Sequence, residues 1–183
     1  PVTETRVGGN MTLDELCLAA IDMSDNVAAN IIIGHLGGPE AVTQFFRSVG
    51  DPTSRLDRIE PKLNDFASGD ERDTTSPAAM SETLRALLLG DVLSPEARGK
   101  LAEWMRHGGV TGALLRAEAE DAWLILDKSG SGSHTRNLVA VIQPEGGAPW
   151  IATMFISDTD AEFEVRNEAL KDLGRAVVAV VRE

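Results

Sequence analysis

The apolar pattern of this chain changes its period once, near residue 122 of 183. Before that point, apolar residues recur at the three- and four-residue spacing of amphipathic helices. After it come three short β-rich runs, AWLILDKSG, NLVAVIQ and PWIATMFIS, separated by Gly/Ser or Pro-Glu-Gly-Gly turns. A helical pattern returns from about Ala161. This order predicts an α+β fold, in which a helical part precedes an antiparallel sheet of three strands that the C-terminal helix covers.

Capping signals divide the helical part into separate helices. Thr12 and Glu15 have the spacing of a capping box, which begins the first helix. Gly37-Gly38 is typical of a helix C-terminus and ends the second. Serine–proline pairs, interpreted as N-cap and N1 residues, begin two later helices: Ser76-Pro77 and Ser94-Pro95. In the C-terminal helix we expect an inner face of apolar residues at helical spacing: Leu170, Leu173, Val177 and Val180.

A long polar segment without a sustained period, DPTSRLDRIEPKLNDFASGDERDTTS, lies at about 51–76. A loop of this length in a compact protein is usually functional or disordered. Its scattered apolar residues favour an Ω-loop that packs on its own side chains: Leu56, Ile59, Leu63 and Phe66. We therefore predict a helical domain over 1–115 that includes this loop, and the C-terminal part of an α/β domain over 116–183.

Charge and composition argue against several classes of partner. The net charge of −12, without a cluster of Lys or Arg, disfavours nucleic acid and anionic membrane surfaces. No apolar run is long enough to predict a transmembrane helix. The three histidines, His35, His107 and His134, are scattered, so the sequence predicts no metal site and no cofactor.

The single cysteine, Cys17, lies on the apolar face of the first helix. It is either a buried free thiol or half of a disulfide whose partner is outside this chain. The first residue is Pro1 and no signal peptide precedes it, so we expect that processing or fragmentation has set this N-terminus.

Three polar motifs stand out on three different elements. Ser24–Asn26 (SDN) interrupts two apolar helices, Glu60–Asn64 (EPKLN) lies in the long loop, and Lys128–Gly130 (KSG) ends the first strand run. Alone, these motifs are typical of a helix cap, a solvated loop and a turn. In this order and on these elements, together with the stretches SRLDRIEPKLN, GDERDTTSPAAM and LDKSGSGS, they resemble the class A serine β-lactamases and, more distantly, the penicillin-binding proteins.

The resemblance implies a role for each matching residue of the SDN and KSG motifs. Ser24 would relay a proton to the β-lactam nitrogen, and Asn26 would hydrogen-bond the side-chain amide of the substrate. Lys128 would attract the substrate carboxylate and orient Ser24, because a buried ammonium stabilises developing negative charge. Ser129 would bind the same carboxylate, and the backbone N–H of Ser131 would form half of the oxyanion hole.

The hairpin after the KSG motif supplies further candidates. Gly130 is counted with the substrate-binding residues, and Arg136 is a candidate for a further carboxylate contact. Arg136 follows Lys128 by eight residues, one fewer than expected, which leaves its register open. His134 is expected to face solvent. Gly132 stands where some carbapenem-hydrolysing relatives carry a cysteine, so that additional disulfide is not formed here.

The EPKLN motif distinguishes a hydrolase from its relatives. The spacing of Glu60 and Asn64 places both side chains on one side of a helical turn, where they can hold one water. Glu60 would act as the general base that directs this water at the acyl-enzyme; whether it also serves acylation stays open. Arg58 and Asp73 are expected to pair across the neck of the loop as a structural lock, the alternative being a solvated surface pair.

No serine in the chain has a lysine three residues later, so the family's Ser-x-x-Lys nucleophile is not here. The resemblance implies an N-terminal segment that carries it, together with the disulfide partner of Cys17. We therefore interpret the chain as the C-terminal portion of a penicillinase-type β-lactamase, inactive alone. Its expected partners are penicillins, with early cephalosporins as a secondary expectation, and that N-terminal segment; otherwise it would be a monomer. By resemblance, the location would be periplasmic or secreted.

Two alternatives stay open. A penicillin-binding peptidase shares the serine, asparagine and lysine motifs, but it lacks the deacylating glutamate. A non-catalytic β-lactam-binding or sensing domain, or a partner that complements a separate N-terminal fragment, would account for the absent nucleophile.

Overall fold

The computed structural model describes residues 1–183 and has the predicted α+β architecture. The fold has six α-helices and one antiparallel sheet with the strand order β1-β2-β3. The helices are α1 (Leu13–Asp22), α2 (Asn26–Leu36), α3 (Pro39–Ser48), α4 (Pro77–Leu84), α5 (Pro95–Met105) and α6 (Phe163–Val181). The strands are β1 (Leu124–Ser131), β2 (Arg136–Gln143) and β3 (Trp150–Ile156). None of the helices has both the length and the apolar character that crossing a membrane requires.

The local capping signals form as predicted. The Thr12 hydroxyl accepts from the N–H of Glu15 at 3.2 Å, and the Glu15 carboxylate accepts from the N–H of Thr12 at 2.7 Å, which completes the capping box. Ser76 and Ser94 each cap their helices through a hydrogen bond of 3.2 Å. Gly37 follows α2 in the left-handed conformation, with φ of 106°, which glycine adopts without a steric cost.

The main core lies between the sheet and α6. In β2, Leu138, Ala140 and Ile142 point to this side and are fully buried. On the opposite face, Leu126 and Val141, which are partners in the β1–β2 register, pack against the α4 and α5 side. The sheet is therefore covered on both faces, which fixes the direction in which each residue of β1 points.

The predicted inner face of α6 is partly wrong. The buried residues of α6 include Leu170, Gly174 and Val178, whereas Leu173 and Val180 are 42% and 53% exposed. The reason is a close approach at Gly174: a Cβ there would lie 3.2 Å from the Cα of Leu115. Because of this contact, α6 turns the stripe of Leu170, Gly174 and Val178 toward the core. The other apolar stripe, with Leu173 and Val180, lies beside β3.

Leu115 also bears on the domain prediction. It lies in a 3₁₀ turn, Leu115–Glu118, and is completely buried in the core between sheet and α6. The predicted boundary at 115/116 thus passes through a segment that packs with the sheet. The division into two domains stays a prediction.

The loop at 51–76 is held by polar contacts more than by the apolar packing that we expected. None of its four apolar residues is buried, and Ile59 is exposed. Instead, the buried carboxylate of Asp51 accepts from the hydroxyls of Ser54 and Thr83, the latter at 2.9 Å. Thr43 on α3 donates to the carbonyl of Leu56 and accepts from its N–H, both at 2.9 Å. The N-terminal part of the loop is therefore tied to both α3 and α4.

Candidate active site

The junction between α1 and α2 presents Ser24. Asp25, not Ser24, is the N-cap of α2, and its side chain is buried. Its carboxylate accepts from the N–H groups of Val27 and Ala28 at 3.1 and 3.0 Å, and from those of Val2 and Thr3 at 2.8 Å. Burial acts to raise the pKa of Asp25, but these hydrogen bonds outweigh it and hold the pKa far below its ordinary value.

With the cap supplied by Asp25, Ser24 is left free for another purpose. It adopts the left-handed conformation, with φ of 53°, which is uncommon for serine and turns the residue out of both helices. Both Ser24 and Asn26 are exposed. The buried cap thus carries a strained, exposed serine at a defined position.

Lys128 reaches Ser24 from the sheet. Its Nζ donates to the Ser24 Oγ at 3.1 Å and also to the backbone carbonyl of Ser129. Burial, and then the positive charge of Arg136, lower the pKa of Lys128 to about 8, although Glu60 and Asp127 act in the opposite direction. An ammonium in this environment is only weakly solvated, which strengthens its interaction with a nearby anion.

Glu60 and Asn64 form a second polar pair on the loop. The 3₁₀ turn Lys62–Asn64 brings the Asn64 Nδ2 to 2.6 Å from the Glu60 Oε2. Burial raises the pKa of Glu60, although the hydrogen bond from Asn64 and the charge of Lys128 lower it. The carboxylate is therefore a stronger base than a solvated glutamate, while the cation of Lys128 is near enough to act on it.

Asn30 on α2 fixes the backbone of Glu60. Its Nδ2 donates to the Glu60 carbonyl at 3.0 Å, and its Oδ1 accepts from the Glu60 N–H at 2.9 Å. The same helix that begins beside Ser24 therefore also holds Glu60. The sequence analysis missed Asn30, although Asn26 and Asn30 are four residues apart and so lie on one face of α2.

The loop neck carries the expected pair of Arg58 and Asp73. The Arg58 Nε lies 2.5 Å from the Asp73 Oδ2, and the Asp73 side chain is only 3% exposed. The other oxygen, Oδ1, accepts from the N–H groups of Asp57 and Arg58 at 2.7 and 2.9 Å. The Arg58 NH2 donates to the carbonyl of Asp65 at 3.1 Å. This buried arrangement differs from a solvated surface pair, because it joins both sides of the loop.

The β1–β2 hairpin contains the remaining candidates. Ser129 is buried and Ser131 is exposed, and the register pairs Ser131 with Arg136 across four turn residues. The buried guanidinium of Arg136 donates to the carbonyl of Gly130 and to the Asn167 Oδ1, both at 3.1 Å. The shortened hairpin therefore brings Arg136 against the KSG motif. Whether Arg136 contacts substrate stays a prediction.

The sequence-based expectations for Cys17 and His134 are open or partial. The Cys17 side chain is half-buried, and burial raises the pKa of its thiol, with a further contribution from Asp14; its pairing with a cysteine outside this chain stays a prediction. His134 does not simply face solvent: its ring lies 5.2 Å from that of Phe66, and its Nδ1 lies 3.1 Å from the carbonyl oxygen of Thr159. No three His, Cys, Asp or Glu side chains come together in an arrangement that fits a metal ion.

The geometry agrees with what comparison with known proteins finds. A sequence model described as the Beta-lactamase enzyme family matches residues 1–181. An ancestral class A β-lactamase of known structure, designated GNCA, superposes with a TM-score of 0.94 at 49% identity, covering 98% of this chain and 70% of that one. The chain belongs to the class A β-lactamase family.

Two curated relatives show how much of a family member the chain represents. It is 46% identical over 181 residues to β-lactamase CARB-4 of Pseudomonas aeruginosa, which covers 98% of this chain and 63% of that protein. It is 48% identical over 177 residues to β-lactamase L2 of Stenotrophomonas maltophilia, which covers 96% of this chain and 58% of that protein. The chain thus spans about three fifths of the length of these class A relatives.

One buried group behind the site of this family member was not anticipated. Asp127 precedes Lys128 on β1, and its Oδ1 accepts from the Thr111 hydroxyl at 2.7 Å and from the Arg116 Nε and NH2 at 3.0 and 2.9 Å. Burial raises the pKa of Asp127, whereas the hydrogen bond from Thr111 and the charge of Arg116 lower it. An apolar run that contains a single aspartate, LILDKSG, is the signal that could have indicated a buried ion pair.

Proposed function

We propose that the complete protein is a penicillinase-type β-lactam hydrolase that forms a serine acyl-enzyme. The nucleophile would come from an N-terminal Ser-x-x-Lys segment outside this chain, which alone would be inactive. The observation that carries the proposal is the Glu60–Asn64 pair, joined at 2.6 Å and within electrostatic reach of the Lys128 that contacts Ser24. Ser24 and Lys128 would serve acylation, and Glu60 and Asn64 would serve deacylation. Both pairs would thus face the same site.

In acylation, the nucleophilic serine oxygen forms a bond to the β-lactam carbonyl carbon and the amide C–N bond breaks. The ring nitrogen needs a proton as it leaves, and the Ser24 hydroxyl would supply it and recover one from the nucleophile. The Lys128 Nζ, 3.1 Å from the Ser24 Oγ, stabilises negative charge on that oxygen during the transfer. The left-handed backbone of Ser24 supports this role because it holds the hydroxyl outside both helices.

In deacylation, a water between Glu60 and Asn64 would attack the ester carbonyl. Glu60 takes a proton from the water as its oxygen bonds to carbon, and the ester C–O bond then breaks, with the proton passing to the serine oxygen. The raised pKa of Glu60 favours this step, because a general base is most effective when its pKa approaches the working pH. Asn30 holds the backbone of Glu60, and the Arg58–Asp73 pair holds the neck of the loop, so the position of Glu60 in the site is restrained.

Substrate recognition would use the cationic side of the site. One cationic cluster on β1 and β2 contains Lys128, Ser129, Gly130 and Arg136. Because the rest of the chain is acidic, with a net charge of −12, a substrate carboxylate would be attracted to this cluster. The exposed Asn26 would hydrogen-bond the side-chain amide, and the N–H of Ser131 would bind the carbonyl oxygen. We propose penicillins as the principal substrates and early cephalosporins as secondary ones, a monomeric enzyme and a periplasmic or secreted location.

The alternatives predict a different fate for the acyl adduct. A penicillin-binding peptidase has no counterpart of the Glu60–Asn64 pair, and a sensor would keep its adduct without any mutation. The half-buried, hydrogen-bonded Glu60 favours the hydrolase over both.

The test is intact-mass spectrometry of the complete protein after brief exposure to benzylpenicillin, comparing the wild type with Glu60→Gln. Glu71→Gln is the matched control, because Glu71 is an exposed glutamate of the same loop. We expect Glu60→Gln to accumulate the acyl adduct, while the wild type and Glu71→Gln return to the free mass. A wild type that retains the adduct, or a Glu60→Gln variant that turns over normally, would refute the proposal.

A further inference from the structure

A contact between two aromatic rings joins the loop to the hairpin. Phe66 lies two residues after Asn64, and His134 lies three residues after Ser131; their ring centroids are 5.2 Å apart with an interplanar angle of 44°. Both residues are half-buried. Tilted rings at this distance attract each other through their quadrupoles as well as by burial of apolar surface. The contact therefore connects the segment that carries Glu60 and Asn64 with the segment that carries the oxyanion donor.

His134 is also held from a third segment. Its Nδ1 lies 3.1 Å from the carbonyl oxygen of Thr159, in the connection between β3 and α6, so this nitrogen donates a hydrogen bond. Asp160 lies 3.3 Å from the same nitrogen, but its carboxylate is fully exposed and adds little. The hydrogen bond to Thr159 fixes the ring plane of His134 against which Phe66 packs.

The hairpin turn is rigid at its base. The Arg166 NH1 donates to the carbonyls of Gly132 and Thr135, both at 2.8 Å. A Cβ on Gly132 would lie 2.9 Å from the carbonyl oxygen of Asn64, so loop and hairpin are already in close backbone contact. Because α6 holds the turn, movement at this contact would occur mainly in the loop.

The loop itself is less well held on this side. Arg58 anchors the backbone as far as Asp65, through the Asp65 carbonyl at 3.1 Å. Ala67, Ser68 and Gly69, which follow Phe66, are exposed. Phe66 is therefore the last half-buried side chain before an exposed tip, and its contact with His134 restrains the loop downstream of Asn64.

We propose that Phe66 and His134 form a clasp that positions the Glu60–Asn64 pair relative to the Ser131 N–H and so sets the rate of deacylation. This inference rests on the proposed function. Both residues are positioning residues, since neither touches the reacting atoms. In the proposed mechanism acylation passes its protons through Ser24 beside Lys128, which the clasp does not contact. The hairpin that carries the Ser131 N–H is held by Arg166 independently of the clasp, so acylation should proceed without it.

The experiment measures acylation and deacylation separately in the complete protein, by following the benzylpenicillin adduct in single-turnover mass spectrometry. Phe66→Ala, His134→Ala and the double variant are compared with Phe66→Tyr, which retains the ring, and with His35→Ala, an exposed histidine on α2. A misplacement of about 1 Å can cost about a hundredfold in rate, so a partial loosening should slow deacylation by roughly tenfold. Acylation should change by less than about twofold.

The double variant should be no slower than either single variant, because one contact is lost in all three. Phe66→Tyr and His35→Ala should deacylate at the wild-type rate. An unchanged acylation rate also shows that a variant is folded, and Phe66→Leu, which retains apolar volume without the ring, replaces Phe66→Ala if that variant does not fold.

Three results would overturn the clasp while leaving the proposed function intact. The first is that the single variants deacylate like the wild type, and the second is that acylation falls in parallel with deacylation. The third is that the two losses multiply in the double variant. A wild type that forms no adduct would instead overturn the proposed function, and the role of the clasp with it.

Discussion

The Arg58–Asp73 pair offers a sharp test of how the loop is held, through the variant Asp73→Asn. Asparagine has nearly the same shape and tolerates the left-handed backbone of Asp73, with φ of 57°, so the change removes charge without adding strain. The amide can still accept from the N–H groups of Asp57 and Arg58. What is lost is the charge-assisted bond to the Arg58 guanidinium, which is largely buried.

The expected cost in free energy follows from the loss of this one charge-assisted bond. A hydrogen bond between charged groups contributes about 1.5–3 kcal/mol, and leaving Arg58 without its partner keeps the cost near the middle of this range. A cost of about 2 kcal/mol raises the equilibrium constant for local opening of the loop by roughly thirtyfold. Global unfolding would report less, because a loop can open while the core stays folded.

Hydrogen exchange of individual amides in the complete protein is therefore the appropriate assay. We expect exchange of the Asp57 and Arg58 amides to accelerate by roughly thirtyfold in Asp73→Asn. The control is Asp70→Asn, which breaks the more exposed pair of Asp70 with Arg72 in the same loop and should change little. Equal exchange in the wild type and Asp73→Asn, or equal acceleration in both variants, would show that the pair does not lock the loop.

Two further predictions concern the site and the core. Under the proposed function, kcat/KM of the complete protein for benzylpenicillin should fall as pH rises through about 8, because the pKa of Lys128 is about 8 and its ammonium loses a proton there. Lys128→Arg should move this limb to higher pH, since a guanidinium stays protonated; a limb that does not move would assign it to another group. Gly174→Val should lower the free energy of unfolding by roughly 1–3 kcal/mol in chemical denaturation, because its Cβ would press on Leu115. Wild-type stability in that variant would contradict the close approach of α6.

Local signals made much of the fold predictable. The capping box at Thr12 and the left-handed glycine at Gly37 each depend on residues within a few positions of one another, so their outcome hardly depends on the rest of the molecule. The hairpin between β1 and β2 is equally local. The inner face of α6 was misjudged because two apolar stripes compete on this helix, and a contact with Leu115, distant in sequence, decides between them.

The residues of the candidate site also fall into those that a local motif indicates and those that only the tertiary structure brings in. Resemblance to a family indicated Ser24, Glu60 and Lys128, since each lies in a recognisable motif. It did not indicate Asn30, whose side chain brackets the backbone of Glu60 thirty residues away. Nor did it indicate Arg116, because supporting side chains are chosen by tertiary approach and leave no pattern at fixed spacing.

The most direct test of the account is a crystal structure of the complete protein carrying Glu60→Gln, trapped with benzylpenicillin. We predict a covalent ester whose carbonyl oxygen lies about 3 Å from the Ser131 N, with the substrate carboxylate at Ser129 and Lys128 and the side-chain amide at Asn26. A water should lie beside Asn64 on the face of the ester. An adduct whose carbonyl oxygen points away from Ser131, or whose carboxylate lies away from Lys128, would contradict the claim that the three motifs form one acyl-enzyme site.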